Sequence, residues 1–366
     1  MKSIYAPSIY DGEQYHHNAW LNIHNNTVLS ITETAFFNDQ LIYEAGTLVP
    51  GFIDLQVNGG GGILLNNDPT LQGLKTIIQA HRSLGTHELL ATLITSDDVT
   101  IHHALDTVES AIEQDMQGLL GIHLEGPMIN SLKRGIHFDK DIHVLNDQLL
   151  KEIQSRNLGK VLVTLAPETV DAHIITELKD AGITVFAGHS NATAEEAQKG
   201  LQAGISGFTH MFNAMPPMLS REPSILGVAI SDRNSWGTII HDGIHVDPIM
   251  VKIAIEAKHI NNMILVTDAM ATLGSNIDSF EFNGHTIYKE HNKLVNHEGK
   301  LAGAHVDLFT SLKNTMNIGC TFEQALQMIT QNPAKALNLY PAIGSLKNGA
   351  KANINWINGA IINPVV

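Results

Sequence analysis

The chain has 366 residues, 43% hydrophobic and only 16% charged, which is enough apolar material for one large domain with a smaller companion and argues against disorder. Asp and Glu outnumber Lys and Arg by 37 to 22, a formal charge of −15 that excludes a broad nucleic-acid surface. A single cysteine, Cys320, rules out an intrachain disulfide and a thiolate zinc cluster. The first twenty residues hold no apolar signal segment and no later run is long enough to span a membrane, so a cytoplasmic location is expected.

Residues 1–49 alternate in short segments such as "NAWLNIHNNTVLSITET", with Asn-Asn and Asp-Gly turn signals, the pattern of β-hairpins. From Pro50 the pattern changes. Eight apolar runs ("GFIDLQV", "HELLATLI", "GLLGIHLEG", "KVLVTLAPE", "ITVFAGHS", "GFTHMF", "WGTIIHDG" and "MILVTDAM") alternate with amphipathic stretches such as "LQGLKTIIQAHRSLG", which predicts a (β/α)8 barrel of the α/β class. After "VTDAM" the segment "FEFNGHTIYKEHNKLVNHEGKLAG" reads as hairpins, followed by helices and a β-like tail with Asn-Gly turns at Asn348 and Asn358. Neither β-rich end is long enough to bury an apolar face alone. The expected division is a small β-sandwich built from 1–49 plus 341–366, beside a catalytic barrel over 50–340.

Chemistry in such a barrel belongs at the C-terminal ends of the strands. There the sequence places His123 and Glu125, His189, His210, His241 with Asp242 and His245, and Asp268. One histidine at a strand end is more often a hydrogen-bonded structural residue, but this many imidazoles and carboxylates aimed at one mouth is hard to obtain by chance. Glu125, His189 and His210 form a candidate metal set, since one carboxylate and two neutral imidazoles leave a fourth position open, as in a catalytic zinc site. Asp268 is then the natural general base, with the N-cap of a following helix as the competing reading. Arg221, isolated in the proline-broken loop "FNAMPPMLSREP", can clamp a phosphate or sit in a surface ion pair. His137 in "KRGIHF" polarises a carbonyl or is merely solvated. The glycine run "NGGGGI" lets backbone approach the mouth but lacks the spacing and lysine of a phosphate loop.

The segments "GFIDLQVNG", "HLEGP", "KRGIH", "TLAPE", "AGHSNAT", "THMFNAMP", "REP", "DGIHVD" and "LVTDAM", in this order, resemble the N-acetylglucosamine-6-phosphate deacetylases of the amidohydrolase superfamily. The resemblance implies a (β/α)8 barrel with a small β-sandwich, and hydrolysis of N-acetylglucosamine 6-phosphate to glucosamine 6-phosphate and acetate. It puts the metal ligands on Glu125, His189 and His210, the catalytic Asp on Asp268 and the carbonyl-polarising His on His137. Substrate contacts are implied at Ile136, His137, Asn213, Ala214, Asp242, His245, Leu301 and Ala304. Arg221 would reach the phosphate in a neighbouring subunit, in a homodimer or tetramer. The substrate loop matches only partly, because Ala304 and His305 replace small hydroxyl residues. Two histidines common to the first strand of metal-dependent amidohydrolases are here Gln56 and Asn58, poor ligands for a second ion, so one divalent metal per subunit, Zn2+ first, is expected. Three alternatives remain open: an N-acetylgalactosamine 6-phosphate substrate, a cyclic-amide hydrolase or deaminase, and a non-catalytic sugar-phosphate binder.

Overall fold

The eight apolar runs form eight parallel strands: β1 (Phe52–Val57), β2 (Thr86–Ile94), β3 (Leu119–Glu125), β4 (Lys160–Leu165), β5 (Thr184–Ala187), β6 (Gly207–Phe208), β7 (Trp236–Ile239) and β8 (Met263–Leu265). The protein is represented by a computed structural model that describes residues 1–365. Each strand pairs with the next in chain order, from β1 to β8. The barrel is brought round just beyond β8, where Asp268 N–H donates to the Gln56 carbonyl (3.0 Å) and Asn58 N–H to the Ala269 carbonyl (3.0 Å). That seam places Asp268 beside the end of the first strand.

Side chains such as Ile53, Leu55, Leu90, Leu162, Phe186, Ile264 and Val266 pack together in one buried cluster. Removing each from water stabilises the fold by about 1.5–3 kcal/mol. The helices between strands start where their sequences supply caps. Thr70 Oγ1 accepts from Gly73 N–H at the start of Leu71–Arg82, and Thr193 with Glu196 makes a reciprocal capping box at Ala194–Ala203.

Both ends of the chain join in one seven-stranded sheet. It contains Lys2–Tyr10, Tyr15–His24, Thr27–Thr32, Gln40–Ile42, Thr47–Pro50, Ile354–Asn358 and Ile361–Pro364. Ile354 pairs with Pro50 and Trp356 with Leu48, and Ile4, Ile9, Leu21, Leu48 and Ile354 share a core of their own. This is the β-sandwich expected from the two termini. The hairpin segment after β8 forms a four-stranded antiparallel sheet, whose last strand, Leu301–Ala304, lies at the barrel mouth. No helix among the described residues is long and apolar enough to cross a membrane.

Candidate active site

Glu125 is the last residue of β3, and His189 and His210 stand just past the ends of β5 and β6. Their side chains converge in the barrel, where each residue is no more than 6% exposed. Glu125 Oε1 lies 2.9 Å from His210 Nε2 and 3.4 Å from His189 Nε2, and the two Nε2 atoms are 3.1 Å apart. Ligand atoms at tetrahedral zinc distances sit about 3.3 Å from one another, so this donor set fits a divalent cation without rearrangement. The His189 tautomer fits as well. Its Nδ1 is 2.8 Å from the Lys133 carbonyl, which can only accept, so Nδ1 carries a proton and Nε2 is the nitrogen left for a cation. Burial works to raise the Glu125 carboxyl, but the two histidines outweigh it and hold it well below the usual range.

Asp268 is tied to this group by the two amides that stand where histidines might have been. Gln56 Nε2 donates to both Glu125 Oε1 (2.8 Å) and Asp268 Oδ1 (3.1 Å), while Asn58 Nδ2 donates to Asp268 Oδ1 (2.7 Å) and to its carbonyl (3.2 Å). One carboxylate oxygen is thereby held, and Asp268 itself lines the pocket. Burial first, then the charge of Glu125, pushes its pKa up to about 6. No helix follows Asp268: Ala269 bridges to Val57 and Ala304, so the N-cap reading falls away. Asp268, His189 and His210 all have positive φ (52°, 47° and 30°), a backbone region that costs a non-glycine residue energy and recurs where a side chain is held for function.

His137 is buried, with its ring 4.2 Å from that of His189 and its Nδ1 2.7 Å from Thr95 Oγ1. Burial, followed by the neighbouring His189, holds it well below the ordinary imidazole range, so the ring is neutral. The solvated alternative is thus set aside. On the opposite rim, Asp242 accepts from the His245 ring (2.6 Å) and from the backbone N–H of Ile244 and His245. Asp242 fixes the ring and His245 faces the pocket. Asn213, Ala214, Ile136 and Leu301 also line it, together with Ile94, Ile240, Met270 and Gly303, which sequence reading did not single out.

Several expected residues lie elsewhere. His123 faces the barrel interior, 3.1 Å from Thr92 Oγ1 and 2.8 Å from Thr164 Oγ1, and burial lowers it to about 4. His241 turns away to Thr315. Ala304 contributes no side chain to the pocket; its backbone N–H donates to the Asp268 carbonyl (3.2 Å), and His305 contacts Thr272 Oγ1. The run Gly59–Gly62 does not line the pocket either. A Cβ at Gly59 would collide with the Ile63 carbonyl and one at Gly60 would press on the His81 ring, so these glycines permit close packing behind the mouth. Arg221 is exposed and outside its own chain's pocket, and no Lys or Arg lines that pocket among the described residues. Thr95 and the bridging role of Gln56 had no signal in sequence, because threonine is common in strands and an amide's partners are set by the fold.

A parallel barrel with a carboxylate, two imidazoles and an acid at its strand ends defines a metal-dependent hydrolase of the barrel type. The chain belongs to the amidohydrolase family, whose model matches residues 47–366. It is 39% identical over 317 residues to N-acetylgalactosamine-6-phosphate deacetylase from Shewanella sp. (strain ANA-3), covering 86% of this chain and 80% of that protein. To N-acetylglucosamine-6-phosphate deacetylase of Haemophilus influenzae it is 31% identical, covering 85% and 82%. The crystal structure of N-acetylglucosamine-6-phosphate deacetylase from Pasteurella multocida superposes with a TM-score of 0.95 at 29% identity, over 99% of this chain and 96% of that one.

Proposed function

We propose that the protein hydrolyses the acetamide of an N-acetylhexosamine 6-phosphate, N-acetylglucosamine 6-phosphate first, releasing acetate and the free amino sugar phosphate. The observation that carries this is the buried Glu125–His189–His210 group joined through Gln56 to Asp268 in one pocket. Those three residues hold one divalent ion, zinc by the character of the set, which when bound supplies Lewis acidity toward a carbonyl oxygen and water. Asp268 accepts a proton from the attacking water and returns it to the sugar nitrogen as the C–N bond breaks. His137 donates from Nε2 to the carbonyl oxygen as its negative charge grows. His245, fixed by Asp242, and Asn213 orient the sugar, and Ile94, Ile136, Ile240, Met270 and Leu301 give the pocket an apolar wall that limits bulk water around the acetyl group.

The phosphate calls for a cation, and no Lys or Arg lines the pocket among the described residues. Arg221 of a second copy fills that need. It stands on the exposed loop beside Met218 and Leu219, next to an apolar groove of Phe212, Met215, Pro216, Pro217, Leu226 and Met250, which a homodimer would cover. One observation favours a second substrate: identity to the Shewanella N-acetylgalactosamine-6-phosphate enzyme is 39%, against 31% to the Haemophilus N-acetylglucosamine-6-phosphate enzyme. The test is acetate release from the two sugar phosphates side by side, before and after chelation and with metal returned. Release from neither sugar by metal-replete protein would sink the proposal, and the ratio of the two rates chooses between the substrates.

A further inference from the structure

Thr95 stands immediately after β2, next to the Ile94 that lines the pocket, but is itself buried and outside it. Its hydroxyl has one proton and two neighbours that can take it: His137 Nδ1 at 2.7 Å and the Glu125 carbonyl at 3.1 Å. Which neighbour receives it decides which nitrogen of His137 faces the substrate with a proton.

The Glu125 carbonyl already accepts the Thr95 backbone N–H at 2.9 Å, whereas His137 Nδ1 has no other partner. If the hydroxyl donated to the carbonyl, Nδ1 would have to carry the ring's single proton, to avoid opposing lone pairs across 2.7 Å. Nε2 would then turn a bare lone pair toward the Glu125 carboxylate, whose Oε2 is 3.8 Å away. If the hydroxyl donates to Nδ1, the ring proton sits on Nε2, directed at that carboxylate and into the pocket. With no cation on Glu125, opposite charges face each other in the second arrangement and like charges in the first, and a buried site amplifies the difference.

We propose that Thr95 is a positioning residue: its hydroxyl donates to His137 Nδ1 and so fixes the tautomer that presents Nε2–H to the substrate's carbonyl oxygen. The surroundings are shaped for this. At Gly126, with φ +86°, a Cβ would collide with Thr95 Oγ1, so the backbone after Glu125 packs directly against the buried hydroxyl. The consequence for catalysis rests on the deacetylase reading above, but the tautomer does not.

Two measurements separate them, spectra of the chelator-treated protein and turnover of the zinc-loaded protein. In long-range proton–nitrogen spectra of protein labelled with 15N-histidine, the His137 signals are those lost in His137→Gln. The wild type should show them as the Nε2–H form, Thr95→Val should lose that preference, and Thr95→Ser should restore it. In turnover, Thr95→Val should lower kcat by roughly 10- to 1000-fold, the range for removing one oxyanion donor. Its KM should change less than about twofold, metal content should hold, and Thr95→Ser should recover the rate. An Nδ1–H signature in the wild type, or an unchanged Nε2–H signature in Thr95→Val, overturns the inference. A tautomer that shifts with no loss of kcat upholds the Thr95 inference and overturns the donor role of His137 instead.

Discussion

Replacing Asp268 by Asn should cost activity and add stability, and both sizes follow from the site. Asn keeps an oxygen where Gln56 and Asn58 donate at 3.1 and 2.7 Å, so its side chain can occupy the same place. What it removes is the proton acceptor, a loss of about 10²- to 10⁴-fold in kcat. The same change relieves a buried charge. Asp268 is displaced from 3.8 to about 6 by burial and by Glu125, which corresponds to an order of 3 kcal/mol at pH well above 6. A raised carboxyl pKa means that the folded state binds the proton more tightly than the unfolded chain. The associated stability is complete below pH 4 and is lost as pH rises through 6. Asn has no such loss. In chelator-treated protein, Asp268→Asn should therefore unfold at a higher temperature than wild type at pH 8, with the gap closing toward pH 4. Turnover with metal restored, metal content and two melting curves per pH make the assay. Near-normal kcat, or a stability gap independent of pH, would refute the assignment of Asp268 as a buried, strained base.

Arg221→Ala should raise the KM for a phosphorylated substrate by tenfold or more, roughly the loss of a charge-assisted phosphate contact, while leaving the melting temperature within about two degrees, because the side chain is exposed. Equal KM values before and after the change would remove it from the phosphate site. Sedimentation of the wild type at assay concentration should show at least a dimer, and an active monomer would contradict an arginine shared between subunits. Metal analysis of protein loaded and then dialysed should return about one ion per chain, since neutral amides are weak zinc ligands and the Gln56 and Asn58 nitrogens are turned to Glu125 and Asp268. Two retained ions would show those hydrogen bonds to be replaceable.

The barrel and the candidate metal set were legible in the sequence for one reason. A parallel strand buried on both faces is an unbroken apolar run, so a polar residue at its C-terminal end stands out, as Glu125, His189, His210 and Asp268 do. The same rule over-selected. His123 lies two residues before Glu125 on the same face of β3, roughly 6–7 Å deeper along the strand, and at that depth it meets Thr92 and Thr164 in the interior. The glycine run looked like an opening toward the mouth, and it is instead a place where the Ile63 carbonyl comes too near Gly59 for a Cβ and the His81 ring packs tightly on Gly60.

By itself the sequence determined the order of strands and helices, the pairing of its two β-rich ends and the residues able to hold a cation, because periodicity and side-chain chemistry are local properties. Only the tertiary structure decided what each polar group touches. Asp268 could cap a helix or serve as a base until the seam with Gln56 and Ala304 left no helix to cap. Gln56 could be an idle amide until the barrel carried Glu125, 69 positions along the chain, to within 2.8 Å. Arg221 could clamp a phosphate or sit in a surface ion pair, and only its loop's placement showed it exposed and outside its own pocket. Hydrogen bonds and charges act over a few ångströms, and closure of the barrel, not proximity along the chain, sets which groups come that close.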